Sequence, residues 1–176
     1  MNAEHLTDCA SRRAHRTAAA RWLAGQAFRK AVEWHDLAAL PAWVCADAAR
    51  LDAWALHAGA WLHADRLRRC IDGRTLEALC VDLGAPAFAA LLADDPAAEV
   101  PALPASWPAW LRDEGRACLL ASIASGRLRA GVQLALWPGL SPVTPGTWPA
   151  GTAAAIVAQA AVFLTAPVGA RPEARP

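Results

Sequence analysis

Apolar residues recur at steps of three and four along much of this chain, and no stretch of four or more residues alternates like a strand. Such spacing is typical of helices that bury one face. From Ala14 to Trp34 there is no proline, and Leu23, Ala27 and Ala31 lie on one helical face. The sequence therefore predicts an all-α fold, with a first helix over residues 14–34.

Length and composition predict one compact multi-helix domain. A chain of 176 residues can bury a sizeable core but is short for two domains. Hydrophobic residues make up 56% of it, with nine tryptophans and no tyrosine, which favours helices anchored by a few large rings. We expect a flexible N-terminus at 1–12, a single helical domain at 13–166 and a disordered C-terminal tail at 167–176.

Proline and glycine predict where the helices are interrupted. Two proline-rich loops are expected, ADDPAAEVPALPAS with a hinge at 94–106 and WPGLSPVTPGTWPAG at 137–151. The single-residue boundaries are Asp47 as an N-cap, a break at Gly59, a left-handed Gly73 after a capping Asp72, a helix end at Gly84, Pro86 in a first turn, Ser106 as an N-cap and a helix end at Gly126.

The charge balance argues against non-specific binding to nucleic acid or to an anionic membrane. Seventeen basic residues face sixteen acidic ones, so the formal net charge is only +1. Residues 12–30 hold six basic residues and no acid, and we interpret this run as a solvated helix face.

The cysteine pattern favours a reducing, cytoplasmic location. The five cysteines are odd in number and form no C-x-x-C pair, and no secretory segment opens the sequence. Cys70 and Cys80, or His57 and His63, are not spaced to share a helix face, so we expect no metal site. The longest apolar run, at 152–166, is shorter than the roughly 20 residues of a membrane-spanning helix, so no span is predicted.

Catalysis finds little support in the sequence. The one candidate nucleophile is Cys45, with His35 and Asp36 nearby in sequence. A buried thiol that acts as a small apolar side chain is the favoured interpretation of this cysteine. We expect no enzymatic activity, no catalytic residue and no cofactor, while an enzyme built around Cys45 stays a third hypothesis.

The stretch RLRRCIDGRTLEALC, residues 66–80, is the densest group of arginines in the middle of the chain. We predict a corner between two helices that places Leu67, Ile71, Leu76 and Leu79 inside and the arginines outside. The candidate partner-binding residues are Arg66, Arg68, Arg69 and Arg74.

An alternative for the same stretch is a small helical DNA-binding or regulatory protein that uses the 60–84 helix pair. Four acids are interleaved with the arginines and would repel phosphates, which disfavours this function. These acids are Asp65, Asp72, Glu77 and Asp82.

Two segments carry a resemblance to a known family. The run LRRCIDGRTLEALCVDLGAPAFAALLAD is followed, after an acidic and proline-containing loop, by LPASWPAWLRDEGRACLLASIASGRLRAGVQLALWP. In order and spacing they resemble SctK, the accessory component of type III secretion sorting platforms (the YscK/PscK, OrgA/MxiK and Hrp-type group). The resemblance covers roughly residues 20–138, whereas the Pro/Gly segment after Trp137 has no counterpart in the family pattern.

This resemblance implies a function in bacterial virulence-type protein secretion. It implies an all-helical adaptor that joins the cytosolic domain of the SctD-type inner-membrane ring to the SctQ-type pod protein. The SctL-type stalk of the ATPase is a further implied neighbour. The adaptor would be cytoplasmic and peripheral at the inner membrane through its partners, and nucleic acid is not among them.

Overall fold

The computed structural model describes residues 3–26, 32–33, 36, 39–94, 100–141, 148–149 and 151–164, with side chains from Arg12 onward. Within these ranges there are eight α-helices, one 3-10 helix and no strand, so the predicted all-α fold is confirmed. The elements are α1 (Ala3–Ala24), η1 (Ala42–Cys45), α2 (Ala48–Leu62), α3 (Ala64–Arg68), α4 (Gly73–Leu83), α5 (Ala85–Leu91), α6 (Trp107–Ala121), α7 (Gly126–Leu136) and α8 (Thr152–Leu164).

Helices α2 and α6 form the centre of the fold and cross with their backbones in contact. A Cβ atom added to Gly59 would overlap the Leu111 carbonyl, and one added to Gly115 would overlap the Ala55 carbonyl. Only glycine fits at both positions. The break predicted at Gly59 is therefore wrong, because this residue continues α2 to Leu62 and serves the close approach of α6.

The other helices pack around this pair and complete two hydrophobic clusters. Helix α8 lies against both α2 and α6, α1 contacts η1, and α4 and α5 pack on each other beside α2. The first cluster includes Leu23, Leu40, Trp43, Val44, Leu51, Trp54, Leu119, Leu120 and Val132. The second includes Leu56, Leu67, Leu79, Leu83, Leu91 and Leu111.

Aromatic pairs connect segments that are far apart in sequence. Trp43 of η1 is 1% exposed, and its ring stacks on that of Trp137 at a centroid distance of 5.9 Å. Trp61 and Phe163 stack in the same way at 6.1 Å, which joins the end of α2 to the end of α8. Three of the tryptophans therefore serve to pack distant segments of the chain together.

Three of the predicted helix boundaries are confirmed in detail. The Asp47 side chain accepts a hydrogen bond of 2.8 Å from the backbone N–H of Arg50 at the start of α2. Helix α4 ends at Leu83 and is followed at the C-cap by Gly84, whose φ of +82° lies in the region that glycine tolerates. Pro86 lies in the first turn of α5.

Two other boundary residues differ from prediction, and a third, Ser106, is confirmed in position but not in its hydrogen bond. Gly73 does not adopt positive φ, because it is already the first residue of α4. Gly126 opens α7 instead of closing α6, and the Ser125 hydroxyl accepts from the Leu128 N–H at 3.3 Å. Ser106 lies at the N-cap position of α6, but its side chain makes no capping hydrogen bond.

The first helix is displaced from its predicted range. It begins at Ala3, within the segment predicted to be a flexible N-terminus, and ends at Ala24 before a turn at Gly25 instead of reaching Trp34. Part of the predicted 94–106 hinge, part of the 137–151 loop and the whole 167–176 tail lie outside the described residues, so those expectations stay predictions.

Candidate partner-binding surface

The corner between α3 and α4 is held by Asp72. Its carboxylate accepts a 2.6 Å hydrogen bond from the Thr75 hydroxyl and a 3.2 Å bond from the Arg74 backbone N–H. The Thr75 bond, followed by that from the backbone, lowers the pKa of Asp72. The predicted capping role of this aspartate is confirmed, and its oxygens are already engaged within the chain.

Two of the four apolar residues predicted to lie inside the corner are fully buried. Leu67 and Leu79 are fully buried, and Leu76 is half-buried. Ile71 is 99% exposed, so its predicted place in the core is wrong. Helix α3 ends at Arg68, so Ile71 lies in the connection to α4 and no longer shares a helical face with Leu67.

Arg68 also differs from expectation, because its side chain is only 10% exposed. Its guanidinium donates to the Leu91 carbonyl at 2.8 Å, to Asp65 at 3.1 Å and to Asp94 at 2.8 Å. These bonds tie α3 to the end of α5. Arg68 therefore stabilises the fold and does not belong to the candidate surface.

Arg66 belongs to a cluster of rings and charges at the junction of α2 and α3. Its guanidinium carbon lies 5.2 Å from the centroid of the Trp110 ring. The His63 ring is 4.2 Å from the same indole, and its Nε2 atom is 3.4 Å from a Glu114 carboxylate oxygen. Burial lowers the pKa of His63, although Glu114 opposes this change.

A groove of about 610 Å³ opens beside this cluster. One wall consists of the end of α3 and the start of α4, including Arg66, Arg69 and the exposed Ile71. Residues 100–105 form the other wall, and Trp107 at the start of α6 also lines the groove. Arg74 is exposed but does not line it.

The three remaining arginines of the corner have no carboxylate partner within the described residues. Neither Arg66, Arg69 nor Arg74 forms an ion pair there. By contrast, Arg112 and Arg116 of α6 both bind Asp52 of α2, at 2.8 and 3.3 Å.

Sequence reasoning missed the ion pairs of α6 and the glycine crossing beneath them. Asp52 and the two arginines are about sixty residues apart, and no local pattern pairs them. The four-residue spacing of Ala55 and Gly59, and of Leu111 and Gly115, is the one signal that could have indicated the close helix approach.

Burial shifts the pKa of two cysteine thiols and one histidine among the described residues. Burial raises the pKa of the Cys45 thiol, and burial followed by the charge of Glu114 raises that of Cys118 to about 12. Burial lowers the pKa of His57 to about 4. His35, named with Cys45 in the catalytic hypothesis, lies outside the described residues.

The described ranges contain neither a metal-ligand cluster nor a helix able to span a membrane. No group of three or more His, Cys, Asp or Glu residues in these ranges could hold a metal ion. None of the helices described there combines the length and the apolar character that a bilayer crossing demands.

Comparisons with protein-family models, with curated proteins and with solved structures gave no match to this chain.

Proposed function

We propose that this chain is a cytoplasmic adaptor of a bacterial type III secretion sorting platform. In this role it links the SctD-type inner-membrane ring to the SctQ-type pod protein by protein–protein docking. The proposal starts from the order and spacing of the motifs over residues 20–138, which resemble SctK. An all-helical fold is what that resemblance implies, and the described residues have such a fold.

The observation that carries a docking function is the surface chemistry of the α3–α4 corner. A large aliphatic side chain, Ile71, is 99% exposed between Arg69 and Arg74, which have no ion pair in the described part of the chain. Arginine is enriched at protein–protein contact surfaces, and the exposed Ile71 beside these arginines can supply an apolar contact to a partner. Such charges give orientation and register between partners more than raw affinity.

The described geometry supports the DNA-binding alternative less than it supports the adaptor. Helix α3 has only five residues, and Arg68 is engaged by Asp65 and Asp94. A groove-reading helix pair needs free basic side chains on the helix that enters the DNA. A regulator would bind duplex DNA with a steep dependence on salt, whereas the proposed adaptor would show little affinity even at low salt.

Binding between purified proteins tests the proposal. The ring cytosolic domain and the pod protein from the same source should each bind the chain, and the stalk protein is a third partner to assay. Absence of binding to both the ring and the pod protein, with the chain folded, would contradict the proposed function. A gene position among secretion-apparatus genes would support it independently, as would location at the inner membrane only when the partners are present.

A further inference from the structure

The groove beside the α3–α4 corner has the features of a peptide-binding site. Its apolar lining comes from Ile71, Pro101, Leu103 and Trp107, and its cationic rim from Arg66 and Arg69. We propose that it binds a short acidic segment of a partner protein, with one large apolar side chain in the groove and a neighbouring carboxylate on the arginines. This inference rests on the proposed docking function and specifies the chemistry of the partner.

Charge complementarity argues for an acidic occupant. Arg69 is exposed, and Arg66 lies against the Trp110 ring. Neither guanidinium group has a carboxylate partner in the described ranges. Among the described residues that line the groove there is one acid, Asp72, and it already accepts hydrogen bonds from Thr75 and Arg74. An incoming carboxylate would therefore meet two guanidinium groups that form no ion pair within the described ranges.

The size and the apolar lining argue for a short segment. A volume of about 610 Å³ lies within the range of sites that bury one small ligand or a few side chains. It is too small for a whole domain surface. Ile71, at 99% exposure, offers an apolar contact that phosphates of a nucleic acid would not use, so we favour protein over nucleic acid.

The variants for the test are chosen so that the fold is left intact. The double variant Arg69→Glu/Ile71→Asp changes two exposed side chains of the groove. A matched control, Arg127→Glu/Val81→Asp, introduces the same two acidic residues in place of an arginine and a β-branched apolar residue at exposed positions outside the groove, where Val81 is 77% exposed. Circular dichroism and thermal unfolding should show wild-type structure for both.

The probe is a random peptide library displayed on phage, selected on the wild-type chain with the groove variant used for subtraction. We expect the selected peptides to carry Asp or Glu close to Leu, Ile, Phe or Trp. Measured by fluorescence anisotropy, they should bind the groove variant at least about tenfold more weakly, as expected for loss of a central contact. The control variant should bind them like the wild type.

Three results would overturn the inference. One is a selection in which no peptide distinguishes the wild type from the groove variant, and another is a set of distinguishing peptides without carboxylates or large apolar residues. The third is duplex DNA that binds the wild type at low salt and loses binding in the groove variant. Binding of the ring and pod proteins is measured separately, so the adaptor function can fail while the peptide site stands, or the reverse.

Discussion

At the scale of single residues, Leu67 and Ile71 show how strongly a helix end decides burial. They are four residues apart, the spacing of one helical face, yet Leu67 is 0% exposed and Ile71 is 99% exposed. The Cys70 N–H bonds the Leu67 carbonyl at 3.0 Å as α3 closes, and Ile71 then follows outside any helix. The energetic cost of replacing the two should differ accordingly.

Leu67→Ala should lower the free energy of unfolding by about 2–5 kcal/mol, because it leaves a cavity in the second cluster. Ile71→Ala should change it by less than about 0.5 kcal/mol, because a fully exposed side chain loses little on truncation. Urea unfolding followed by circular dichroism measures both. Equal destabilisation by the two substitutions would contradict the described position of Ile71.

His57 should make the stability of the protein depend on pH. Its residue is 4% exposed, and burial lowers the pKa from 6.5 to about 4, so the folded chain takes up this proton less readily than the unfolded chain. As the pH falls from 6.5 towards about 4, the unfolded state is protonated first and is favoured. The free energy of unfolding should fall in this window by up to about 1.4 kcal/mol per pH unit from this residue.

The variant His57→Gln cannot titrate and should show a shallower loss of stability over the same pH window. Urea unfolding at a series of pH values gives the two slopes. Well above pH 6.5 the slopes should coincide, because His57 is then neutral in both states. The same slope for wild type and variant throughout would show that His57 does not titrate as its burial implies.

At the scale of the elements, the crossing of α2 and α6 depends on the absence of two side chains. Gly115 faces the backbone of Ala55 and Gly59 faces that of Leu111, so the helix axes are closer than larger residues would permit. Asp52 on α2 then reaches Arg112 and Arg116 on α6 and fixes their relative position.

Gly115→Ala should destabilise the fold by about 3 kcal/mol or more, at the upper end for overpacking, because the new methyl group meets backbone that cannot rotate away. The control is Gly126→Ala at the start of α7, where nothing lies within 4 Å of the added Cβ. This control should be neutral or slightly stabilising. Thermal unfolding of the two variants measures the difference, and a neutral Gly115→Ala would refute the close crossing.

The helix boundaries show what the sequence predicts well and what it cannot. Asp47 and Gly84 act through local chemistry, a side-chain cap and a permitted backbone conformation, and both were predicted correctly. Gly59 and Arg68 were misread because their roles depend on Leu111 and Asp94, partners that only the folded chain brings near. For the same reason the sequence identifies the arginines of residues 66–74 as a group, but it does not show that Arg68 is bonded within the fold while Arg69 and Arg74 are exposed.

At the scale of the whole molecule, the two hydrophobic clusters share helices α2 and α6. Helix α2 contributes Leu51 and Trp54 to the first cluster and Leu56 to the second. Helix α6 likewise contributes Leu119 to the first and Leu111 to the second. Loss of packing in either cluster would expose part of α2 and α6, because both helices contribute side chains to both clusters. The stabilities of the two clusters are therefore coupled.

The described domain should therefore unfold in a single cooperative transition. Calorimetry should give a van't Hoff enthalpy equal to the calorimetric enthalpy, and far-UV circular dichroism should report the same midpoint. Two separated transitions would show that the clusters unfold independently. The variant Leu67→Ala, which changes the second cluster, should lower the stability of the first cluster by the same amount as that of the second.

The stacking of Trp43 on Trp137 gives this protein an optical reporter that needs no label. The rings lie 17° from parallel with centroids 5.9 Å apart, close enough for their electronic transitions to couple. That coupling should add a paired band to the far-ultraviolet circular dichroism spectrum, which Trp137→Phe would remove. Since one indole belongs to η1 and the other follows α7, the band would follow in real time any separation of these two segments when a partner docks.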